Sequence, residues 1–141
     1  AATLNNNKTR KINECAKIGN RFGVIFQLTD DILDYSGNEL NIGKNLGADL
    51  SEGKITLPLI YAIKKGTKSQ KIIIKTAIEK GGIENLSDVI QIIDETNAIN
   101  DVQSKSLSYL NEINSLIDNF HDSSYKTLIK ELAEYSIQRE N

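Results

Sequence analysis

The 141-residue sequence contains no methionine and no tryptophan, and proline, histidine and cysteine occur once each. Because Cys15 is the only cysteine, an internal disulfide framework is excluded and a reducing compartment such as the cytoplasm is expected. A metal site built on two histidines is excluded too, since His121 is the only histidine. Pro58 is the only strong helix breaker in the sequence.

Long apolar runs and an excess of basic residues are also missing. No run approaches the roughly 18–20 apolar residues that a membrane-spanning helix needs, and the first residues lack the layout of a signal peptide. The net charge of −2 gives no general attraction to nucleic acid or to an anionic membrane, so any anion must be bound locally. The composition, 39% hydrophobic and 26% charged, is typical of a soluble globular domain.

The spacing of apolar residues predicts an all-α protein. Apolar side chains recur at i, i+3, i+4 and i+7 from about residue 8 to residue 35, which predicts one long helix capped by Asn6 or Asn7. Residues 36–55 break this period and contain four glycines, which indicates an ordered, functional loop. Thr56 is expected to be the N-cap of the helix that follows. The later helices are predicted over residues 56–66, 68–80, 85–97, 99–119 and 123–139.

Some residues on these helices predict how the helices pack. Cys15 lies on the apolar face of the first helix and is expected in the core. Gly19 and Gly23 lie one turn apart and are expected to permit close contact between helices, because an interior glycine costs about 1 kcal/mol relative to alanine. The apolar positions of the last helix are Leu128, Leu132 and Tyr135.

Three aspartates occur within the apolar segment FQLTDDILDY, residues 26–35. On a helix, Asp30 and Asp34 lie one turn apart on the same face, with Asp31 beside them. This arrangement suits Mg²⁺, which takes one or two carboxylates and completes its shell with water and phosphate oxygens. A solvated acidic face at a helix end is the competing interpretation, and the motif alone slightly favours that interpretation. The spacing excludes an EF-hand calcium loop and a phosphate-binding P-loop.

Two lysines follow in the glycine-containing loop. Lys44 and Lys54 each come directly after a glycine, and Asp49 lies between them. Glycine lets the backbone approach a ligand closely, and lysine is a mobile point charge suited to phosphate. Each lysine by itself is more typical of a solvent-exposed surface. Together with the aspartates, they predict a metal ion and cationic side chains arranged around a diphosphate.

The run from Gly23 to Ile63 resembles the second aspartate-rich region of the trans-polyprenyl diphosphate synthases. The family pattern is FQ, two residues, DDxxD, and then GK, GxD, EGK and TLP, and every element is present in order. The remaining sequence is similar to the C-terminal part of the family, in particular to its long-chain, octaprenyl-type bacterial members. The matching positions are Phe26-Gln27, Asp30-Asp31-Ile32-Leu33-Asp34, Gly43-Lys44, Gly47-Ala48-Asp49, Glu52-Gly53-Lys54 and Thr56-Leu57-Pro58.

The resemblance implies an isoprenoid-synthase-type helical bundle and a Mg²⁺-dependent, head-to-tail condensation of isopentenyl diphosphate with an allylic diphosphate. Carried over by position, Asp30 would bind Mg²⁺ directly, and Asp31 and Asp34 would bind or orient its water molecules. Asp49 would lie in the outer shell of the metal.

The same resemblance implies residues that hold the substrate. Lys44 and Lys54 would contact the allylic diphosphate, and Gln27 would help to hold the substrate end of the site. The apolar side chains around Phe26 would line part of the cavity that shields the carbocation from water.

The family uses two aspartate-rich motifs that face each other, and this sequence contains one. The resemblance therefore implies that residues 1–141 form the C-terminal part of a single synthase domain and do not catalyse condensation alone. The implied partners are a second copy of the chain or a complementing N-terminal half. The alternative is a non-catalytic helical partner or regulatory subunit of a prenyl synthase. A terpene cyclase fits less well, because its second metal motif has an Asn/Asp, Ser/Thr and Glu pattern that DDILD lacks.

Overall fold

A computed structural model describes the backbone of residues 2–36, 46–81 and 83–138, with side chains described from residue 8 and, in the last range, from residue 84. These residues contain helices and turns but no strand, which confirms the all-α fold class. The helices are α1 (Ala2–Ser36), α2 (Ala48–Ser51), α3 (Leu57–Lys65), α4 (Lys68–Lys80), α5 (Leu86–Glu95), α6 (Ala98–Asp118) and α7 (Ser124–Gln138), with a 3₁₀ turn at Ile83–Asn85.

Local sequence signals explain where helix α4 begins and ends. Helix α4 begins with a capping box, in which the Thr67 hydroxyl accepts from the Gln70 amide and the Gln70 side chain accepts from the Thr67 amide. The same helix ends at Gly81, whose φ of +60° is a left-handed conformation that favours glycine. The predicted bounds of α4 through α7 are therefore confirmed to within about two residues.

The start of α1 differs from the prediction. The helix begins at Ala2, so neither Asn6 nor Asn7 is its N-cap. Asparagine is a frequent cap, but it also occurs within helices at a modest cost in propensity, and here the helical hydrogen bonding continues through both residues. The predicted loop over residues 36–55 is partly helical, since it contains α2, and its residues 37–45 lie outside the described part of the chain.

The chain divides into two compact units. Of the described residues, the first unit comprises 2–27 and 106–138, and the second comprises those between 28 and 105. In the first unit, the buried core is formed by Ile25, Ile113, Ile117 and Ala133. In the second unit, α3, α4 and α5 pack against one another, and α2 packs against α4. The buried residues of this second core are Tyr35, Leu50, Leu59, Ala62, Ile74, Ala77, Val89, Ile92, Ile93 and Ala98.

Several packing predictions in the first unit are wrong. Cys15 is exposed, and a Cβ atom added at Gly19 or Gly23 would meet nothing within 4 Å among the described residues. In α7 the buried residue is Ala133, whereas the predicted apolar positions Leu128, Leu132 and Tyr135 are exposed. Apolar spacing identifies the faces of a helix that can be covered, but it does not identify what covers them.

Two lysines of α7 connect this helix to the end of α6. The Lys126 ammonium donates hydrogen bonds to the carbonyl oxygens of Phe120 at 2.9 Å and Asp118 at 3.3 Å. Lys130 pairs with the Asp118 carboxylate at 2.6 Å. A cation at this place satisfies carbonyl groups that the end of a helix leaves without partners.

None of the helices in the described ranges is long and apolar enough to cross a membrane.

Candidate functional site

The aspartate motif lies in the last two turns of α1, within the second unit. Asp31 is buried, with 7% of its surface exposed, while Asp30 and Asp34 are partly buried. The last residue of this segment, Tyr35, belongs to the core. The segment therefore buries Tyr35 and Asp31, whereas Asp30 and Asp34 lie at the boundary with solvent and Phe26 is half exposed.

Asp34 holds the short helix α2 at its N-terminal end. The Asp34 carboxylate accepts hydrogen bonds from the Ala48 amide at 3.0 Å and from the Asp49 amide at 3.2 Å. The backbone carbonyl of Asp34 also accepts from the Gly47 amide at 2.9 Å. Burial raises the pKa of the Asp34 carboxyl above its usual value, and the charges of Asp49 and Asp31 add to this, whereas the two amides oppose it.

Helix α2 needs a cap from elsewhere in the chain because its own N-cap residue is Gly47, which has no side chain. Gly47 has a φ of +72°, and a Cβ atom at this position would lie 2.5 Å from Leu86 Cδ1. Leu50 of α2 is fully buried in the second core. One turn of helix is thus held by glycine conformation, by one buried leucine and by the distant carboxylate of Asp34.

Lys54 lies directly after this helix and pairs with two carboxylates. Its ammonium group lies 3.0 Å from Asp49 Oδ1 and 2.8 Å from Glu52 Oε2, and its side chain is 58% exposed. These hydrogen bonds, first that with Glu52 and then that with Asp49, raise the pKa of Lys54 above its usual value. Lys54 is therefore a cation at neutral pH, and it is accessible to a ligand from solvent.

Tyr35 and Thr56 form a buried polar pair that the sequence did not reveal. The Thr56 hydroxyl donates to the Tyr35 phenol oxygen at 3.4 Å. Burial raises the pKa of Tyr35 to about 12, and the nearby charge of Asp34 acts in the same direction. Thr56 is the N-cap residue of α3 by backbone conformation, as predicted, but its side chain makes no capping hydrogen bond. The hydroxyl is used for tertiary contact instead.

The structure thus brings together part of the predicted site. Asp34, Asp49 and Lys54 are joined by hydrogen bonds, and Asp30 and Asp31 lie on the same turns of α1 as Asp34. Lys44 falls outside the described residues, so its predicted role stays a prediction. Gln27 is exposed on α1, in the part of that helix that belongs to the first unit. Glu52, the second partner of Lys54, is the glutamate of the EGK motif, and the sequence does not predict that it takes part in the site.

The donor chemistry of the aspartates fits a hard divalent cation. Within residues 2–36, 46–81 and 83–138, no group of three or more His, Cys, Asp or Glu side chains is arranged to enclose a metal ion. Mg²⁺ does not require such a cage, because one or two carboxylates hold it together with water and substrate phosphates. Asp30 and Asp31 supply oxygen donors of the required type.

Two grooves in the first unit contain no residue of the aspartate motif. A groove of about 890 Å³ is lined by polar residues that include Asn20, Arg21 and Glu112. The Arg21 guanidinium pairs with Glu112 at 2.6 Å and lies 4.8 Å from the centre of the Tyr109 ring. A second groove of about 530 Å³ is lined largely by apolar residues such as Phe22, Ile129 and Leu132. The predicted site residues Asp30, Asp31, Asp34, Asp49 and Lys54 belong to the second unit.

Comparison with known proteins identifies relatives of this chain. The family model described as Polyprenyl synthetase matches residues 1–96. The chain is 38% identical over 122 residues to the octaprenyl diphosphate synthase of Haemophilus influenzae, an alignment that covers 86% of this chain and 37% of that protein. It is 34% identical over 122 residues to the heptaprenyl diphosphate synthase component 2 of Geobacillus stearothermophilus, covering 86% of this chain and 38% of that protein.

Solved structures give the same result for the fold. A polyprenyl synthase from Caulobacter crescentus CB15, complexed with calcium and isoprenyl diphosphate, matches with a TM-score of 0.83 and 27% identity. That match covers 92% of this chain and 40% of the other, which confirms the predicted isoprenoid-synthase-type bundle over the matched part. The chain spans less than half of the length of these relatives.

Proposed function

The chain belongs to the polyprenyl synthetase family, and from that membership we propose that it forms part of an octaprenyl-type polyprenyl diphosphate synthase. The reaction is the head-to-tail condensation of isopentenyl diphosphate with an allylic diphosphate, a prenyl transfer of isoprenoid biosynthesis. The activity is proposed for the whole enzyme, because the chain spans about 37% of the Haemophilus influenzae relative. The proposed contribution of this chain is the second of two aspartate-rich motifs, in the C-terminal part of the synthase domain.

One observation carries this proposal. The hydrogen bonds from Ala48 and Asp49 to the Asp34 carboxylate connect the aspartate motif of α1 to the segment that carries Lys54. The acidic groups, which suit a divalent cation, and the lysine, which suits phosphate, thus lie on two segments that are hydrogen-bonded to each other. An acidic face that is only solvated would not be expected to bind the segment that carries Lys54. The contact therefore favours the interpretation as a metal–diphosphate site.

The proposed roles follow from charge. Loss of diphosphate from the allylic substrate develops negative charge on the leaving group, and Mg²⁺ when bound would neutralise part of it. Asp30 would bind the cation directly, and Asp31 and Asp34 would bind or orient the water molecules around it. Asp49 would act from the outer shell, since its carboxylate accepts from Lys54 while its backbone amide donates to Asp34.

The substrate would be held by cationic and polar side chains. Lys54 and Lys44 would contact the diphosphate of the allylic substrate as mobile point charges. Gln27 would hold the substrate end of the site, and the apolar residues around Phe26 would exclude water from the carbocation. The calcium and isoprenyl diphosphate in the related Caulobacter crescentus structure support the choice of a divalent cation and a prenyl diphosphate as ligands.

Calorimetric titration of the 141-residue chain with pyrophosphate, with and without Mg²⁺, tests the proposal. We expect binding that depends on Mg²⁺ and that weakens at least about tenfold in Asp30→Ala, because even residues that only support metal ligands cost about 10–100-fold when mutated. Glu131→Gln, an exposed change on α7, is the charge-matched control and should bind as the wild type does. Binding that is absent, or that is equal in Asp30→Ala and the wild type, would contradict the proposal.

We also propose that the chain functions in an assembly, with a second copy or with a complementing N-terminal half. Large apolar side chains of α7 are exposed, among them Tyr125 at 76% and Leu128 at 60%, and such exposed patches are typical of interaction surfaces. One relative is named as a component of a heptaprenyl diphosphate synthase. Light scattering after size exclusion should give a mass above that of one chain, alone or after mixing with the complementing half.

The alternative function, a non-catalytic helical partner or regulatory subunit, makes a different prediction. Under that alternative the chain associates with a synthase but binds no metal diphosphate, and Asp30→Ala changes neither property. Under the proposed function Asp30→Ala weakens metal-diphosphate binding at least about tenfold and leaves association intact. The cytoplasmic location expected from the single cysteine stays a prediction.

A further inference from the structure

Both carboxylate oxygens of Asp34 accept hydrogen bonds from backbone amides of helix α2. Oδ1 accepts from Ala48 at 3.0 Å and Oδ2 accepts from Asp49 at 3.2 Å. Hydrogen bonds from backbone amides to a carboxylate are charge-assisted and are stronger than neutral ones. A side chain held in this way is oriented toward α2.

The segment that Asp34 holds is hydrogen-bonded continuously as far as Lys54. The amides of Ser51 and Glu52 donate to the carbonyls of Gly47 and Ala48, and the Gly53 amide donates to Leu50. The Lys54 amide donates to the Asp49 carbonyl at 2.9 Å. Because every residue from Ser51 to Lys54 is tied back to the turn before it, a displacement of the first turn of α2 moves Lys54 with it.

The side chain of Lys54 is attached to the same segment. Its ammonium group pairs with Asp49, the residue whose amide donates to Asp34. Asp34, Asp49 and Lys54 thus form a chain of contacts in which the carboxylate of α1 acts on the lysine through a single intermediate residue. Leu50 anchors the other side of α2 in the core.

We propose that Asp34 is a positioning residue, which fixes the place of Lys54 relative to Asp30 and Asp31 by capping helix α2. This assignment rests on the proposed function, because it concerns the diphosphate that Lys54 would contact. It adds a second role for one aspartate of the motif. Asp30 and Asp31 would serve the divalent cation and its water molecules, whereas Asp34 would also act on the diphosphate through the segment that carries Lys54.

Amide hydrogen exchange of the 141-residue chain tests the contact itself. In Asp34→Ala we expect the amides of Ala48 and Asp49 to exchange at least about tenfold faster, because they lose their acceptors. In Asp34→Asn the amide oxygen can still accept one hydrogen bond, so protection of one of the two amides should return. Asp30→Ala is the matched control and should leave both amides as they are in the wild type.

Pyrophosphate affinity in the presence of Mg²⁺ tests the positioning role. We expect Asp34→Asn to weaken binding about fivefold in the wild-type background and to have less than about a twofold effect in a Lys54→Ala background, since coupled neighbours are non-additive. If Asp34 acted only as a metal ligand, its substitution would weaken pyrophosphate binding by the same factor in both backgrounds. Equal costs in the two backgrounds would overturn the proposal.

The two measurements separate this proposal from the proposed function. If the wild type binds no pyrophosphate, the proposed function fails and with it the role of Asp34 toward a ligand. If the amides of Ala48 and Asp49 exchange at the wild-type rate in both Asp34 variants, the proposal that Asp34 caps α2 is contradicted, even when pyrophosphate binds as proposed. If Asp34→Ala fails to fold, Asp34→Asn carries both tests, because it retains the size of the side chain.

Discussion

The Thr56 hydroxyl donates a hydrogen bond to the phenol oxygen of Tyr35 at 3.4 Å, across 21 positions of sequence. Tyr35 is the residue after the aspartate motif on α1, and Thr56 is the N-cap residue of α3. Both side chains are buried. The pair therefore fixes the two ends of the segment that carries the proposed substrate lysines, and it does so from within the core of the second unit.

Replacing Tyr35 by phenylalanine should reduce the free energy of unfolding by about 1 kcal/mol, because the buried Thr56 hydroxyl loses its partner while the ring is retained. Urea denaturation of the two proteins measures the difference. Tyr125→Phe is the matched control, since the same atom is removed from a side chain that is 76% exposed. A Tyr35→Phe protein as stable as the control would contradict the importance of this contact.

Two glycine-to-alanine changes should have opposite effects on stability. Gly47→Ala places a Cβ atom at a φ of +72°, where an L-residue costs about 1–2 kcal/mol, and it crowds Leu86. Gly23→Ala meets no described atom within 4 Å in the middle of α1, so it should stabilise the chain by about 0.5–1 kcal/mol. The thermal unfolding temperatures of the two variants should therefore lie on either side of that of the wild type.

A destabilised Gly23→Ala chain would show that α1 is in closer contact at this position than the structure indicates. That outcome would restore the helix–helix contact that the sequence predicted. A Gly47→Ala chain as stable as the wild type would mean that α2 can form without the left-handed residue. In that case Asp34 alone would suffice to define where the helix begins.

The limits of the sequence-based predictions have physical causes that particular residues illustrate. The capping box at Thr67 and the left-handed Gly81 are local signals, so the bounds of α4 could be predicted from residues within the helix itself. Helix α2 has four residues, too few for an apolar period, and its cap is a carboxylate 14 positions away. No local pattern contains that information, and the Asp34 contact is visible only in the structure.

The same distinction applies to burial and to the site. The apolar spacing of α7 is present in the sequence, but the small residue Ala133 is buried while Leu132 beside it is exposed. For the site, the residue types and their spacing predicted acidic and basic groups around a diphosphate. The separate roles of the aspartates depend on which backbone amides donate to which carboxylate. These hydrogen bonds are part of the tertiary structure and cannot be predicted from local sequence.

Glu52 should restrain Lys54 in the absence of ligand. Glu52→Gln removes one of the two carboxylates that pair with the lysine, so less interaction must be broken when pyrophosphate binds. Because exposed ion pairs are weak, the affinity for pyrophosphate in the presence of Mg²⁺ should rise by no more than about fivefold. Calorimetry with Glu131→Gln as control measures the effect, and a loss of affinity would instead assign Glu52 a direct part in binding.

The contact between Asp118 and Lys130 should make the packing of α7 sensitive to acid. The hydrogen bond from Lys130 lowers the pKa of Asp118, so the stabilisation is present above the unfolded pKa of about 3.9 and is lost as the pH falls through the folded value. The stability difference between the wild type and Asp118→Asn should be constant from about pH 5 to 7 and should close in more acidic solution.

The midpoints of denaturant unfolding of both proteins, measured across this pH range, give the stability difference. High salt should reduce the same difference at neutral pH, because the pair lies at the surface and is screened. A difference that depends neither on pH nor on salt would show that the substitution acts through packing and not through the ion pair.

The position of a bound divalent cation tests the central claim most directly. Mn²⁺ can replace Mg²⁺ in an NMR experiment on the 141-residue chain with pyrophosphate, because it broadens the signals of amides close to it. We expect broadening at residues 30–34 and 48–54, and we expect it to disappear in Asp30→Ala. Broadening confined to the acidic turn around Asp118 and Asp122, or no broadening of residues 30–34, would contradict a metal–diphosphate site at the aspartate motif.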